Sequence, residues 1–137
     1  MIVADTGAII ALIDADDRHH QSLLALYEAD PDAWLLPWAI LPEVDYLLAT
    51  HVDPRAELAF LRDVAEARYA VEWGAPADLI RGKQIAERHA SLSLGLADVV
   101  VMAIAERIEA DAIATLDVRD FGAVKLRGSP ALLPRDL

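Results

Sequence analysis

The stretch "LADVVVMAIAERIEADAIATLD" (Leu96–Asp117) contains the two kinds of element from which this chain is built. Its first part is apolar at every position from Val99 to Ala105. A helix without a polar face must be buried on most sides, so we expect this one to lie centrally against a sheet. The second part, Ala112–Thr115, has the length and the apolar character of a buried strand. The stretch therefore predicts a helix that packs on the sheet to which the following strand belongs.

The same alternation of short apolar runs and longer amphipathic segments extends over the whole chain. It favours an α/β fold in which a parallel sheet is covered by helices on both faces. The predicted strands are Ile2–Ala4, Ala33–Leu36, Tyr69–Trp73, Ala112–Thr115 and Val124–Leu126. The predicted helices are Thr6–Ile13, Arg18–Ala29, Trp38–Thr50, Pro54–Ala67, Pro76–Ala90 and Leu96–Ala110. Because no repeat or linker-like segment interrupts the pattern, we expect a single domain over residues 1–137.

The start of the fourth predicted helix carries a specific signal. Asp53 can cap the helix and Pro54 suits its first position. The residues Leu58, Leu61, Val64 and Ala65 then predict the buried face of this helix.

The composition limits the classes of protein to which the chain can belong. Of its 137 residues, 55% are hydrophobic and 26% are charged, which argues against disorder. No apolar run approaches the ~20 residues of a membrane span, and no basic segment precedes the short apolar start. We therefore expect a cytoplasmic protein without contact to a membrane. Since the chain has no cysteine, any metal must be held by oxygen or histidine ligands.

The net charge of -11 is carried entirely by the first 80 residues, because the rest of the chain is balanced. Such acidity opposes passive adsorption to nucleic acid, whose phosphates are bound mainly by lysine and arginine. Any chemistry on nucleic acid must then use local contacts or metal ions. The acidity also suits a basic protein partner, although simple solubility explains it equally well.

Four acids stand out by their position. Asp5 and Asp117 each follow a predicted strand, and ligand sites of open parallel sheets form outside the carboxyl ends of the strands. Asp98 opens the apolar helix. Glu43 is spaced to share a helical face with Ile40 and Leu47, where an unpaired carboxylate would be costly.

Each acid could also have a purely structural role. Asp5 and Asp98 could be helix N-caps, and Asp117 could belong to a turn before Arg119. Glu43 could pair with a distant arginine. Together, however, four converging carboxylates would repel one another by roughly 3 kcal/mol for each close pair, so they would need protons or cations. Oxygen ligands without sulfur or histidine partners favour Mg²⁺ or Mn²⁺, and such ions activate water for attack on phosphorus.

These residues resemble those of the PIN-domain nucleases, in particular the VapC-type toxins of toxin–antitoxin pairs. The resemblance rests on "VADTGAIIALI" at the start, Glu43 in "LPEVDYLL", Asp98 in "LGLADVVVMAIAER" and "AIATLDVRDF" near the end, in this order along essentially the full chain. It implies a three-layer α/β/α sandwich with a parallel sheet of about five strands, and Mg²⁺-dependent endoribonuclease activity. It also implies a VapB-type antitoxin as partner and a homodimer.

Carried over residue by residue, the resemblance implies that the catalytic and metal-binding acids are Asp5, Glu43, Asp98 and Asp117. Thr6 and Thr115 would support them, Asp120 would be an additional acid, and Phe121 would belong to the core. Two departures from the pattern are Gly7, where a serine is common, and Pro42, which should set the start of the helix of Glu43. Candidate contacts to RNA phosphates in the less acidic part are Arg81, Lys83, Arg88, Arg119, Lys125 and Arg127.

Two other functions remain open at this point. An aspartate after a first strand also suits phosphotransfer through an aspartyl phosphate, but Gly7 stands where one such family needs a second aspartate, and Ala4 stands where receiver domains have another acid. A catalytically idle PIN-fold module that only binds a partner is the second alternative. The retention of all four acids argues against it, and the RNA target, whether tRNA or a ribosomal RNA loop, does not follow from these residues.

Overall fold

The computed structural model describes all residues, 1–137, and contains five strands and seven α-helices. The strands are β1 (Ile2–Ala4), β2 (Trp34–Pro37), β3 (Ala70–Glu72), β4 (Ala112–Ala114) and β5 (Ala131–Leu133). The helices are α1 (Thr6–Ile13), α2 (His20–Ala29), α3 (Leu41–Leu47), α4 (Pro54–Ala65), α5 (Pro76–Arg88), α6 (Leu96–Arg107) and α7 (Val118–Ala123). None of these helices is long and apolar enough to cross a membrane.

All five strands are parallel, in the order β3-β2-β1-β4-β5. The chain moves from β1 to β3 in one direction and then returns to the other side of β1 for β4 and β5. Because parallel crossovers are right-handed, this order places α1 to α4 on one face and α5 to α7 on the other. The predicted three-layer sandwich is confirmed, and its topological switch point lies between β1 and β4.

Helix α6 is the central helix of its layer, as its sequence predicts. Every residue from Val99 to Ala105 is buried, and the helix packs against β1, β2 and α5. Gly82 of α5 allows this close approach, because a Cβ atom there would lie 3.0 Å from the side chain of Val99. The packing fixes the start of α6, and with it Asp98, relative to the sheet.

The prediction for the last strand is wrong. Residues Val124–Leu126 are not part of the sheet, whereas Ala131–Leu133 pairs with β4 as the edge strand. Val124 and Leu126 are nevertheless buried, because the segment packs its alternate side chains against the core without pairing its backbone. The helix Val118–Ala123, which precedes this segment, is absent from the predicted elements.

Two helices also differ from their predictions. The predicted helix Trp38–Thr50 consists of a 3₁₀ turn, α3 and a π-helical turn, and α3 begins at Leu41, next to Pro42, as that proline suggested. In α4, Phe60 is buried, whereas Leu58 and Leu61 are about half exposed. The buried stripe of α4 is therefore Ala56, Phe60 and Val64, of which the sequence pattern identified only the last.

Candidate metal centre

Asp5 lies at the carboxyl end of β1, beside the switch point of the sheet. Its backbone N–H donates to the carbonyl of Ala114, 2.9 Å away, and so continues the ladder between β1 and β4. Its side chain is 6% exposed and caps α1, where Oδ1 accepts from the Thr6 amide at 2.8 Å. The N-cap explanation is therefore correct for Asp5, but the cap uses only one carboxylate oxygen.

Thr115 connects the ends of β1 and β4. Its side chain is fully buried, and its hydroxyl donates to Asp5 Oδ2 at 3.0 Å. The same hydroxyl oxygen accepts from the backbone N–H of Asp117 at 3.0 Å. Asp117 in turn caps α7, since its Oδ1 accepts from the backbone N–H of Asp120. One threonine hydroxyl thus holds both strand-end aspartates in register.

The side chain of Glu43 extends from α3 to Thr6, the residue that follows Asp5. Thr6 Oγ1 donates to its Oε1 at 2.7 Å, which ties the first turn of α3 to the first turn of α1. The sequence prediction that Glu43 lies on the buried face of its helix is wrong. Glu43 is exposed, because α3 starts at Leu41 and buries Val44 and then Leu48 instead. Its second oxygen, Oε2, has no hydrogen-bond partner in the protein.

Asp98 lies in the first turn of α6 and is half-buried. It is not the N-cap that its position suggested, because α6 is capped by Gly95 and Asp98 is its third residue. An acid in the first turn is stabilised by the helix dipole. This placement leaves the carboxylate of Asp98 free to face Asp117 and Glu43, whose charges act on it.

The site raises the pKa of two of its acids. Burial raises the pKa of Asp5 from 3.8 to about 6, against the hydrogen bonds from Thr6 and Thr115, and the charges of Asp98 and Asp117 add to the rise. Burial also raises the pKa of Asp98, against the amide of Gly95, and the charges of Asp117, Glu43 and Asp120 add to it. The two acids therefore carry negative charge that the protein itself does not neutralise.

None of the five acids of the site forms an ion pair. The ion pairs of the protein lie elsewhere and leave Asp5, Glu43, Asp98, Asp117 and Asp120 without a cation. The acids are also spread, since no three acidic or histidine side chains are arranged to hold one ion together. Mg²⁺ typically keeps several waters and binds through one or two carboxylates. The all-oxygen donor set and its uncompensated charge fit a hydrated ion of this kind.

The remaining predicted residues divide into those near the acids and those farther away. Asp120 is half-buried in the first turn of α7, and Phe121 is 2% exposed in the core. A Cβ atom at Gly7 would meet no atom within 4 Å, so there is open space for a small side chain such as serine at this position. Arg119 lies on α7. The other predicted cations lie farther away: Arg81, Lys83 and Arg88 are on α5, and Lys125 and Arg127 are on the segment after α7. His89, at the C-terminal end of α5, lies close to Arg88 and to this segment, but no sequence pattern identifies it.

Replacing Thr115 by valine should destabilise the protein by about 2 kcal/mol, because it removes two buried hydrogen bonds at almost constant volume. Urea unfolding measures the difference. The matched control is Thr50→Val, an exposed hydroxyl, which should change the free energy of unfolding by less than about 0.5 kcal/mol. Equal losses in the two variants would show that the Thr115 hydroxyl does not hold the strand ends together.

Comparisons with known proteins agree with this fold. The model of the PIN domain family matches residues 2–125. Over 124 residues the chain is 30% identical to Ribonuclease VapC26 of Mycobacterium tuberculosis, and the match covers 90% of this chain and 92% of that protein.

Two solved structures share the fold. Mycobacterium tuberculosis VapC20, described as a Sarcin-Ricin loop cleaving toxin, superposes with a TM-score of 0.81 at 21% identity, covering 93% of this chain and 98% of that one. A chain of VapBC2 from Rickettsia felis, bound to a DNA fragment from their promoter, gives a TM-score of 0.69 at 14% identity, covering 96% and 97%. With a family match over most of its length and a VapC ribonuclease as a relative, the chain belongs to the PIN-domain family.

Proposed function

We propose that this protein is a metal-dependent endoribonuclease that acts as the toxin of a toxin–antitoxin pair. The observation that carries the proposal is the group of five carboxylates at the switch point of the sheet, none of which is paired with a cation, around the buried Asp5. A protein that left this charge uncompensated would lose stability without a gain. A divalent cation that meets a phosphate supplies the missing positive charge.

In this proposal Asp5 and Asp98 are the main ligands of Mg²⁺ or Mn²⁺, and Glu43 and Asp117 complete the site directly or through waters. When bound, the ion lowers the pKa of a bound water and offsets the charge that develops on the phosphate oxygens. Thr6 and Thr115 act as positioning residues, because their hydroxyls fix one oxygen each of Glu43 and Asp5. Glu43 Oε2, which has no hydrogen-bond partner in the protein, would be free to accept a hydrogen bond from the attacking water.

The proposed substrate is a structured RNA, either a tRNA or a ribosomal RNA loop. The support is that VapC20, whose fold this chain shares, is described as cleaving the sarcin-ricin loop, and that the sequence relative VapC26 is a ribonuclease. The proposed reaction is hydrolysis of an RNA phosphodiester bond, which would block translation.

The proposed partner is a VapB-type antitoxin. The support is that VapBC2, which has the same fold, is a toxin–antitoxin complex, and that the net charge of -11 suits a basic partner segment. A homodimer within that complex and a cytoplasmic location belong to the same proposal. Co-expression with the product of the neighbouring short reading frame, followed by size-exclusion chromatography, tests the pairing.

Removal of the metal tests the activity itself. The purified protein should cleave a structured RNA in Mg²⁺ or Mn²⁺, lose this activity in EDTA and regain it when Mg²⁺ is added in excess. Denaturing gels and mapping of the new RNA ends measure the cleavage. Cleavage that continues at the same rate in EDTA would contradict the proposal.

The geometry argues against phosphotransfer through an aspartyl phosphate. Both carboxylate oxygens of Asp5 accept hydrogen bonds from buried groups of the protein, and its side chain is only 6% exposed. Each oxygen keeps a lone pair that can bind a small cation. Attack on phosphorus would instead require a bulky tetrahedral phosphoryl donor to reach this buried side chain. Incubation with acetyl phosphate and mass spectrometry would detect a phosphorylated aspartate if that alternative held.

A further inference from the structure

A cationic groove lies beside the acidic site, on the face of the sheet that carries α5 to α7. Its volume is about 410 Å³, and it is lined by the second half of α5 and by the segment Ala123–Arg127 that follows α7. No acidic side chain lines it. In a protein with a net charge of -11, a groove of this composition is an exception that needs a reason.

The cations of the groove differ in whether they are already paired. Arg81 binds Glu106 with two hydrogen bonds, of 2.6 and 3.1 Å, so its charge is used within the protein. Arg88, Lys125 and Arg127 are exposed, and their side chains form no ion pair. Arg88 and Lys125 are therefore free for a ligand that enters the groove. Arg127 is also exposed to such a ligand, although its charge helps to lower the pKa of Glu106.

The segment after α7 is built to present two of these cations on one side. Val124 and Leu126 are buried, at 7% and 6% exposure, so the alternate residues Lys125 and Arg127 face outwards. In an extended chain the Cα atoms of such residues lie about 6.6 Å apart, so both side chains leave the same side of the segment. The Arg127 backbone N–H donates to Glu106 Oε2 at 2.8 Å and anchors the end of the segment.

The groove is close to the acids because α7 joins the two. Asp117 caps the start of α7, and the segment begins where this six-residue helix ends, about 9 Å along its axis. On the other side of the groove, the end of α5 lies near the start of α6, since the two helices pack antiparallel with Gly82 against Val99 and Arg107 bound to Asp78. The near end of the groove, at Ala123, therefore lies about 9 Å from the start of α7. Arg127 lies farther from the acids, since its amide binds Glu106, eight residues or about 12 Å along α6 from Asp98.

We propose that the RNA backbone next to the cleaved phosphate lies in this groove, where Arg88, Lys125 and Arg127 neutralise its phosphates. The inference rests on the proposed function. It also divides the sequence candidates: Arg81 is excluded because it is paired with Glu106, and Lys83 because it does not line the groove. Nucleic acid is favoured over an acidic peptide because the segment that carries Lys125 follows directly on α7, and the residue that caps α7, Asp117, belongs to the proposed site of phosphodiester chemistry.

The test is the triple variant Arg88→Gln, Lys125→Gln, Arg127→Gln. Binding to a fluorescent single-stranded 12-nucleotide RNA is measured by anisotropy in EDTA, where no cleavage is expected, over a series of NaCl concentrations. We expect Kd to rise about 10- to 100-fold at low salt and the slope of log Kd against log salt to fall by about 2, since each lost contact removes ~0.7. In Mg²⁺, the KM for RNA cleavage should rise while kcat stays within about twofold.

The matched control removes the same charge elsewhere, by Arg18→Gln, Arg55→Gln and Lys83→Gln combined, which are all exposed and outside the groove. It should leave the salt slope unchanged. Equal effects in both triple variants would overturn the inference, as would binding of an oligoglutamate peptide that depends on the groove while RNA binding does not.

If the parent protein cleaves RNA but the groove variant keeps the KM and the salt slope of the parent protein, the groove inference alone fails. If the variant loses RNA affinity but the parent protein never cleaves, only the proposed function fails.

Discussion

Asp5→Asn and Asp98→Asn should each lower the rate of Mg²⁺-dependent RNA cleavage by about a thousandfold, which corresponds to about 4 kcal/mol of activation free energy. Both changes keep the size of the side chain and remove one negative charge from the site where we propose that the metal binds. The effect should be large because electrostatic stabilisation of the phosphate depends on the metal, and the metal depends on these charges. Single-turnover cleavage of a labelled RNA measures it.

The matched control for this experiment is Asp32→Asn. Asp32 is exposed and precedes β2, so it lies at the edge of the sheet opposite to Asp5. The control loses the same charge and should cleave within about twofold of the parent protein. If Asp5→Asn or Asp98→Asn retained full activity while the proteins remained folded, the proposed assignment of the metal ligands would be wrong.

The place of the site could be predicted from the sequence because it follows from where strands end. In a parallel sheet the carboxyl ends of all strands share one edge, so acids after Ala4 and after Leu116 had to lie on the same side. The apolar character of Val99 to Ala105 likewise predicted the buried helix α6, and its first turn then had to reach that edge. These inferences need only the local pattern and the rules of parallel sheets.

The failures share a physical cause, which is that tertiary packing selects among similar local patterns. Val124–Leu126 and Ala131–Leu133 are both short apolar runs, and only the return of the chain beside β4 decides which of them pairs. Phe60, not Leu58, enters the core because the position of α4 is set by its contacts with α3. Helix α7 has six residues, includes Gly122 and buries only Phe121, so no periodic pattern marks it.

The raised pKa of Asp5 makes the stability of the metal-free protein depend on pH. An acid whose pKa is about 6 in the folded protein and 3.8 in the unfolded chain binds its proton more tightly when folded. Its contribution to stability is therefore complete below about pH 4 and is lost as the pH rises through about 6. The full loss is roughly 3 kcal/mol, at 1.36 kcal/mol for each pKa unit. The raised pKa of Asp98 acts in the same direction.

Asp5→Asn should therefore stabilise the metal-free protein at pH 8, by about 1 to 3 kcal/mol, although it should lower the activity about a thousandfold. The amide can still accept from Thr6 and can still hydrogen-bond with the Thr115 hydroxyl, but it has no charge to desolvate. Urea unfolding in EDTA at pH 4.5 and pH 8 measures the effect, and the difference between the two pH values should shrink in the variant. Asp32→Asn, as the control, should keep the full pH dependence of the parent protein.

Added Mg²⁺ should reverse this order of stability. At 100 times its Kd, an ion that binds only the folded state stabilises it by about 2.7 kcal/mol, which offsets most of the penalty of an ionised Asp5. The Asp5→Asn variant, which has lost its main ligand, should gain much less. In Mg²⁺ the free energy of unfolding of the parent protein should therefore equal or exceed that of the variant. A parent protein that is no less stable than Asp5→Asn in EDTA at pH 8 would contradict the burial of an uncompensated charge. If Mg²⁺ instead stabilised both proteins equally, the ion would bind elsewhere than at Asp5.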